Sequence, residues 1–345
     1  MVSKKLNAAY PLLFILFFSN FNSVLAQKGG RPHTIFEYLT QEEMTKLTLD
    51  VDMTTLLENR KTSEYYPGLL TMPDGKSFQV KIKAKGKYRR KVAEIPPLKI
   101  KFTKKSLVAE GLDTLNEVKF VLPCYDNNLG DELIVREYLA YRMFERLTTA
   151  SVRARLVKLT LRDSHVEKSR KSMYAIVLED NEETASRLKG REIEQYGLPA
   201  DSLIQNQAAL VAMFEYMIGN TDWDIAMMRN VRLIRSTDTD KVLVVPYDFD
   251  FSGFVSAPYA SPSSESGLLT VRDRFLMHHG MSPDLLRKAI QVLKSAQNDL
   301  YSICRSKYLS RESEAELLQY LETFFMHIDP NGDVPARMKV PFTAE

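Results

Sequence analysis

The sequence predicts an α+β protein in two lobes, the first rich in strands with one embedded helix, the second helical. Three observations carry that prediction. From about Thr45 to Asp180 short runs alternate apolar and polar residues, with one helical repeat among them. Beyond Asp180 the repeat becomes helical, and between residues 219 and 253 two acidic phrases bracket a short hairpin. The expected divisions are a leader over residues 1–26, a β-rich lobe over 27–180 and a helical lobe carrying the hairpin over 181–345.

The chain opens with Lys4 and Lys5, an apolar run from Pro11 to Phe18, and the small or branched Val24-Leu25-Ala26. That is the pattern of a cleaved signal peptide, with a mature start near Gln27. The run is shorter than the roughly 20 apolar residues of a membrane span, and no later segment is long and apolar enough to serve. The protein is therefore expected to be exported, to a periplasm, an extracellular space or a cell surface, with no integral membrane span after cleavage. Losing the leader removes two lysines and no acids, which takes the formal net charge from +3 to +1. A near-neutral chain argues against nucleic-acid binding driven by bulk charge. Cys124 and Cys304 are the two cysteines. They make no disulfide framework and have no zinc spacing, so a single bridge and two separately buried thiols are the choices.

In the first lobe Thr45–Val51 alternates, and Pro73-Asp74-Gly75-Lys76 makes a turn before Ser77–Lys85. Pro97–Phe102, Glu117–Leu122, Val152–Leu161 and Ser172–Leu178 follow as strands. The embedded helix covers Asp131–Leu147, with Val135, Leu139, Met143 and Leu147 on one face. Glu179–Glu183 reads as a linker. The second lobe begins with an apolar helix over Leu203–Ile218. Amphipathic helices are expected over Ser282–Tyr301 and Ser310–Phe325, opened by Ser282-Pro283-Asp284 and Ser310-Arg311-Glu312-Ser313. This order is the two-lobe plan of protein-kinase-like folds.

Residues 81–105 hold eleven basic residues and one acid, Glu94. In Val80–Lys85 and Leu98–Phe102 lysines alternate with apolar residues, and the strand period of two gathers each lysine set on one face. Most of these lysines fit a solvated sheet face. Lys99 and Lys101, on a short strand begun by Pro96-Pro97, are the candidates for neutralising phosphates of a nucleotide or an anionic polymer. No Gly-x-x-x-x-Gly-Lys-Ser/Thr phosphate loop occurs.

The chemistry concentrates in Gly219-Asn220-Thr221-Asp222-Trp223-Asp224, Arg229-Asn230, and Pro246-Tyr247-Asp248-Phe249-Asp250-Phe251-Ser252-Gly253. Between them Val231–Arg235 and Lys241–Val245 are joined by a polar turn that contains Asp238 and Asp240. An antiparallel hairpin sets its two open ends side by side, so Asn230 faces Tyr247–Asp248 while Asp222 arrives from the preceding turn. Two carboxylates and an amide at one strand end suit a hard cation such as Mg²⁺. Asp, then Asn, then a strand and another Asp is also the order of parts in kinase-type phosphoryl transfer. Alternation puts Asp248 and Asp250 on one face, where they repel unless a cation or donors lie between them. A hydrogen-bonded structural corner is the competing reading. Downstream, the long irregular Phe254–Ser266 reads either as a plain surface loop or, in kinase terms, as the place where substrate docks, with Ser261, Ser263 and Ser264 open to self-modification.

Taken in order, Ala84-Lys85-Gly86-Lys87-Tyr88-Arg89, Pro97-Leu98-Lys99-Ile100-Lys101-Phe102, Val135-Arg136-Glu137-Tyr138-Leu139-Ala140-Tyr141, Gly219-Asn220-Thr221-Asp222 and Pro246-Tyr247-Asp248-Phe249-Asp250 resemble the spore coat protein H (CotH) family of atypical protein kinases. The resemblance runs from about Phe78 to Gly253. It implies a kinase-like fold that transfers phosphate from ATP, with Mg²⁺, to Ser/Thr hydroxyls of a protein. By position it implies Asp222 as the catalytic-loop aspartate, Asn230 as the metal-binding amide and Asp248 as the metal-binding aspartate, with Asp250 as the second acid of that motif. A non-catalytic pseudokinase-like binding module and a metal-dependent hydrolase remain as the other two readings.

Overall fold

The computed structural model describes residues 32–166 and 170–340; the leader expected over residues 1–26 lies outside them. Its first half is a closed seven-stranded barrel. Strands β1 (Lys46–Val51), β2 (Tyr66–Thr71), β3 (Ser77–Ala84), β4 (Leu98–Phe102) and β5 (Glu117–Val121) run antiparallel in sequence order. Then β7 (Lys171–Glu179) pairs with β5, β6 (Ala154–Asp163) pairs with β7, and β6 returns parallel to β1 to close the ring. The alternation read from the sequence explains the closure. Leu49, Ile82, Ile100, Val118, Phe120 and Leu159 all point inward and are fully buried in one apolar core. The strand Tyr66–Thr71 escaped the sequence reading because Pro67 and Gly68 blur its pattern.

Short helices decorate the barrel: α1 (Ile35–Leu39), α2 (Met53–Glu58), α3 (Arg89–Val92) and α4 (Lys104–Ala109). The long α5 (Asn128–Leu147) begins three residues before its expected start, where the Asn127 side chain caps it by accepting from the Gly130 N–H. Although it is embedded between strands, its Leu139, Tyr141 and Phe144 belong to the second apolar core.

That second core is built on α7 (Gln205–Met217), in which every residue from Gln207 to Met217 is buried. A helix apolar all round must lie inside its domain. Against it pack α8 (Pro283–Ser295) and, through Phe324 on Tyr216, α10 (Arg311–Met326), while α9 (Gln297–Cys304) packs on α5 in the same core. The single helix expected over Ser282–Tyr301 is two, broken at Ala296, where the sequence has no Pro or Gly to mark the break. The expected linker is ordered too. Asp180 caps α6 (Asn181–Arg187), and Glu179 is buried and ion-paired with Arg153 and Arg187.

The hairpin forms, with β9 (Val231–Ser236) antiparallel to β10 (Val242–Pro246), and β8 (Gly190–Ile193) adds a third strand. A two-residue pair, β11 (Arg274–Phe275) with β12 (Arg337–Met338), completes the chain. Cys124 and Cys304 are both buried and unbridged. No described helix is long and apolar enough to cross a membrane.

Candidate functional site

Helix α7 delivers the first acidic phrase. It ends at Met217 with Ile218 as its C-cap, and the next residue, Gly219, has a φ of +65° in the left-handed region, where a residue without Cβ is at little disadvantage. The loop that follows is stitched to the second acidic phrase: Gly253 donates to the Gly219 carbonyl at 3.0 Å and Phe254 to that of Ile218 at 2.9 Å. The Tyr320 hydroxyl occupies the space a Cβ on Gly219 or Gly253 would need, and it donates to the Arg272 carbonyl at 2.9 Å. Gly219→Ala is therefore expected to cost about 2 kcal/mol or more, from the left-handed backbone and from displacing Tyr320. A urea unfolding curve superimposable on wild type would contradict this.

Asp222 is held from three sides. Its N–H donates to Asn220 Oδ1 at 2.9 Å. The Asn230 amide nitrogen donates to its carbonyl at 2.6 Å and to its Oδ2 at 3.0 Å. The Arg229 guanidinium lies 3.9 Å from Oδ1. Burial pushes the Asp222 carboxyl up to about 6, the charges of Asp248 and Asp250 add to that, and Arg229 and Asn230 oppose it. Asp224 performs a turn role: its Oδ1 accepts from the Met227 N–H at 2.6 Å, and its backbone exchanges two bonds with Arg229.

The hairpin brings Asn230 to the second phrase, with the Tyr247 N–H donating to the Asn230 carbonyl at 3.0 Å. Met228 (φ +51°), Asn230 (φ +51°) and Asp248 (φ +68°) are all left-handed without being glycine. Such strain is concentrated at functional sites, where surrounding contacts over-determine it. At Asp248 one of those contacts is clear: its N–H donates to the Tyr141 hydroxyl of α5 at 2.8 Å, and the Tyr141 ring packs on Phe249.

This backbone reversal corrects one expectation. Strand β10 stops at Pro246, so Asp248 and Asp250 do not share a strand face. Asp250 turns into the interior, where its Oδ2 accepts from Arg89 Nε at 2.8 Å and from the Tyr259 hydroxyl at 3.1 Å. Arg89 also pairs closely with Glu137 of α5. The metal role expected for Asp250 thus competes with a buried ion cluster that already engages one of its oxygens. Burial pushes the Glu137 carboxyl up to about 7, against the pull of Arg89.

A divalent cation at this end of the hairpin would find oxygen donors. With the Asn230 nitrogen committed to Asp222, the amide oxygen is the atom left for a metal. Asp248 and Asp222 supply carboxylates whose mutual repulsion a cation would relieve, a donor set of the hard-oxygen kind. It numbers two carboxylates and an amide. Among the described residues, no group of three His, Cys, Asp or Glu side chains could hold a metal ion.

Lys99 and Lys101 lie on β4 and both grip Glu117 of β5, Lys101 at 2.9 Å; Lys99 also reaches within 3.8 Å of Asp180. The strand register reveals a basic row that sequence reading missed. Lys83 of β3 stands opposite Lys99, and Lys99 stands opposite Lys119 of β5. Burial holds the neighbouring Lys85 below the ordinary lysine range, and the charges of Lys83, Lys99 and Lys119 add to that. Lys119 Nζ lies 5.9 Å from the ring of Tyr247, the residue before Asp248, and Arg232 lies 5.3 Å from the same ring. Spacing within one strand cannot show a row that crosses three.

The Phe254–Ser266 loop is tied to the same place, since the Ser263 N–H donates to Thr221 Oγ1 at 2.8 Å. Glu137 and Tyr141 also escaped assignment. Four residues apart on α5, they occupy one helix face, and with Asp131, Glu132 and Glu145 on the same helix no spacing singled Glu137 out.

No protein-family model matches the chain, and no curated protein matches it. Among solved structures it is similar to the Helicobacter pylori proinflammatory kinase CtkA, at 10% identity over 65% of this chain and 88% of that one, with a TM-score of 0.35. A likeness this loose is a distant resemblance to a kinase structure and carries no argument about this chain's fold or function.

Proposed function

We propose that the protein has a two-lobe kinase-like fold and transfers the terminal phosphoryl group of a Mg²⁺-bound nucleoside triphosphate, ATP by the family resemblance, to a Ser/Thr hydroxyl of a protein. One observation carries the reading: Asp222 and Asn230 are hydrogen-bonded to each other at the end of the hairpin that carries Asp248. In this scheme Asp222 orients the acceptor hydroxyl and takes its proton, a task for which a carboxyl raised to about 6 is better matched than an ordinary one. Asn230 and Asp248 would hold the cation, which would offset charge on the transferred group. Lys119, at one end of the Lys83–Lys99–Lys119 row, lies beside Tyr247, and in this scheme the row offers charge for the triphosphate. The order of motifs shared with spore coat protein H kinases supports the protein acceptor. The leader-like start supports an exported or surface acceptor.

Calorimetry with Mg²⁺ and ATP tests the reading. Binding of ATP that requires Mg²⁺ supports it; metal binding with no nucleotide binding favours the hydrolase or the binding module. Lys83→Ala and Lys119→Ala are each expected to weaken nucleotide affinity roughly tenfold, the worth of one charge-assisted contact. Lys101→Ala, one row away and engaged with Glu117, should change it little. Equal effects from all three would remove the row from the site.

A further inference from the structure

Glu215 lies in the last turn of α7, fully buried in a core of apolar side chains. Its Oε2 accepts from the Asn220 side-chain amide at 2.9 Å, and its backbone carbonyl accepts from the Asn220 N–H at 2.8 Å. The Asn220 amide oxygen accepts in turn from the Asp222 N–H, and Asp222 accepts from Asn230. Glu215, Asn220, Asp222 and Asn230 thus form one hydrogen-bonded chain that starts inside the helical core and ends at the hairpin. The other carboxyl oxygen of Glu215, Oε1, is buried with no hydrogen-bond partner.

A buried carboxyl with an orphaned oxygen is a costly occupant of an apolar helix. Closing the helix end does not require it, because the backbone bond from Asn220 already does that. What the side chain adds is a grip on the amide whose far end holds Asp222. Burial pushes the Glu215 carboxyl up to about 8, so near neutral pH it is largely an uncharged acid and the chain carries no buried negative charge at its root.

We propose that Glu215 is a positioning residue for Asp222, acting through the Asn220 amide and holding the 219–224 loop in the one orientation in which Asn230 can bond Asp222. The proposal rests on the phosphotransfer reading only for what the positioned carboxylate does; the positioning itself is measurable without any activity.

The test compares Glu215→Ala and Glu215→Gln in the full chain by amide hydrogen exchange, with Mg·ATP affinity and phosphotransfer alongside. In Glu215→Ala, amides of residues 220–224 should exchange at least about tenfold faster, the loss of one buried hydrogen bond, while the barrel and α10 keep wild-type rates. Nucleotide affinity should stay within about threefold while kcat falls at least about tenfold, because an interaction that orients the reacting group acts on the chemical step. Glu215→Gln, of the same shape and without charge, should restore both. Wild-type exchange of the loop in folded Glu215→Ala, or a uniform rise across the chain, overturns the proposal. Should Glu215→Ala fail to fold, Asn220→Ala cuts the same chain one link further on, and unchanged exchange at residues 221–224 in that variant overturns it equally. If the wild-type protein transfers no phosphate at all, the phosphotransfer reading falls while the exchange data still decide the positioning.

Discussion

Asp248→Asn should reduce Mg²⁺-dependent phosphotransfer by about 10³-fold or more while leaving the melting temperature of the metal-free protein nearly unchanged. Both halves of that expectation follow from the geometry. The substitution removes one negative charge from the oxygen set that would hold the cation, and alignment by metal and charge supplies most of the barrier reduction in phosphoryl transfer. The backbone, however, has no reason to move. Asp248 sits at φ +68°, a conformation asparagine adopts as readily as aspartate. Its main-chain anchor is the bond from its own N–H to Tyr141, which a side-chain change does not touch. A structural corner predicts the reverse, with no transfer to lose and a lower melting temperature. Melting curves with and without Mg²⁺ separate the two. A wild-type melting point indifferent to Mg²⁺, together with a large drop in Asp248→Asn, would falsify the metal site and the phosphotransfer reading with it.

Arg89→Met is the second substitution with a large expected effect, this time on stability. Arg89 is 6% exposed and pairs with both Glu137 and Asp250, which are themselves 1% and 4% exposed. Removing the cation leaves two buried carboxyls without their partner, a change that costs about 3–5 kcal/mol where it has been measured in buried pairs. The loss should depend on pH, and its sign is fixed. Burial pushes the folded Glu137 carboxyl from the ordinary glutamate value of 4.5 up to about 7 and raises Asp250 as well. Between the unfolded and folded values the folded state holds protons that the unfolded state lacks. The stabilisation from Glu137 is therefore complete below pH 4.5 and is lost as pH rises through about 7, and the contribution of Asp250 has the same sign. Without Arg89 both acids are held more strongly in the neutral form, so the deficit against wild type should shrink toward pH 5 and grow toward pH 8. Urea unfolding at those two pH values reads it. A deficit independent of pH would mean that lost packing, and not unpaired charge, is the cause.

Much of the secondary structure was legible because it depends on local period. The strand at Glu117, the α5 repeat and the Val231–Val245 hairpin each have the spacing of apolar residues that their element requires, and the structure has elements at those places. The juxtaposition of Asn230 with Tyr247–Asp248 followed from hairpin closure alone. What the sequence hid is relational. The Lys83–Lys99–Lys119 row exists only once three strands are in register. The separate fates of Asp248 and Asp250 depend on a left-handed residue whose signal, an aspartate just after a strand, is too common to act on. Arg89 finds Asp250 across 161 positions of chain, and no spacing rule connects them. Barrel closure through the parallel β1–β6 pair was equally invisible, since a strand's two neighbours leave the same alternation whether or not the sheet's ends meet.

That closure has a consequence for how other chains can be recognised. A barrel in which every strand has a neighbour on both sides has no edge strand, and its unpaired main chain is confined to short overhangs such as residues 171–175 of β7 beyond the pairing with β5, so this half offers no full-length edge for β-augmentation or edge-to-edge aggregation. An acceptor segment that bound as an added strand would have to use an outer strand of the β8–β9–β10 sheet. On the β10 side part of that border is already taken by the bridge between Val242 and Leu203. The β8 side, with Arg191 and Glu192 exposed along it, is an outer strand against which a partner backbone could be zipped.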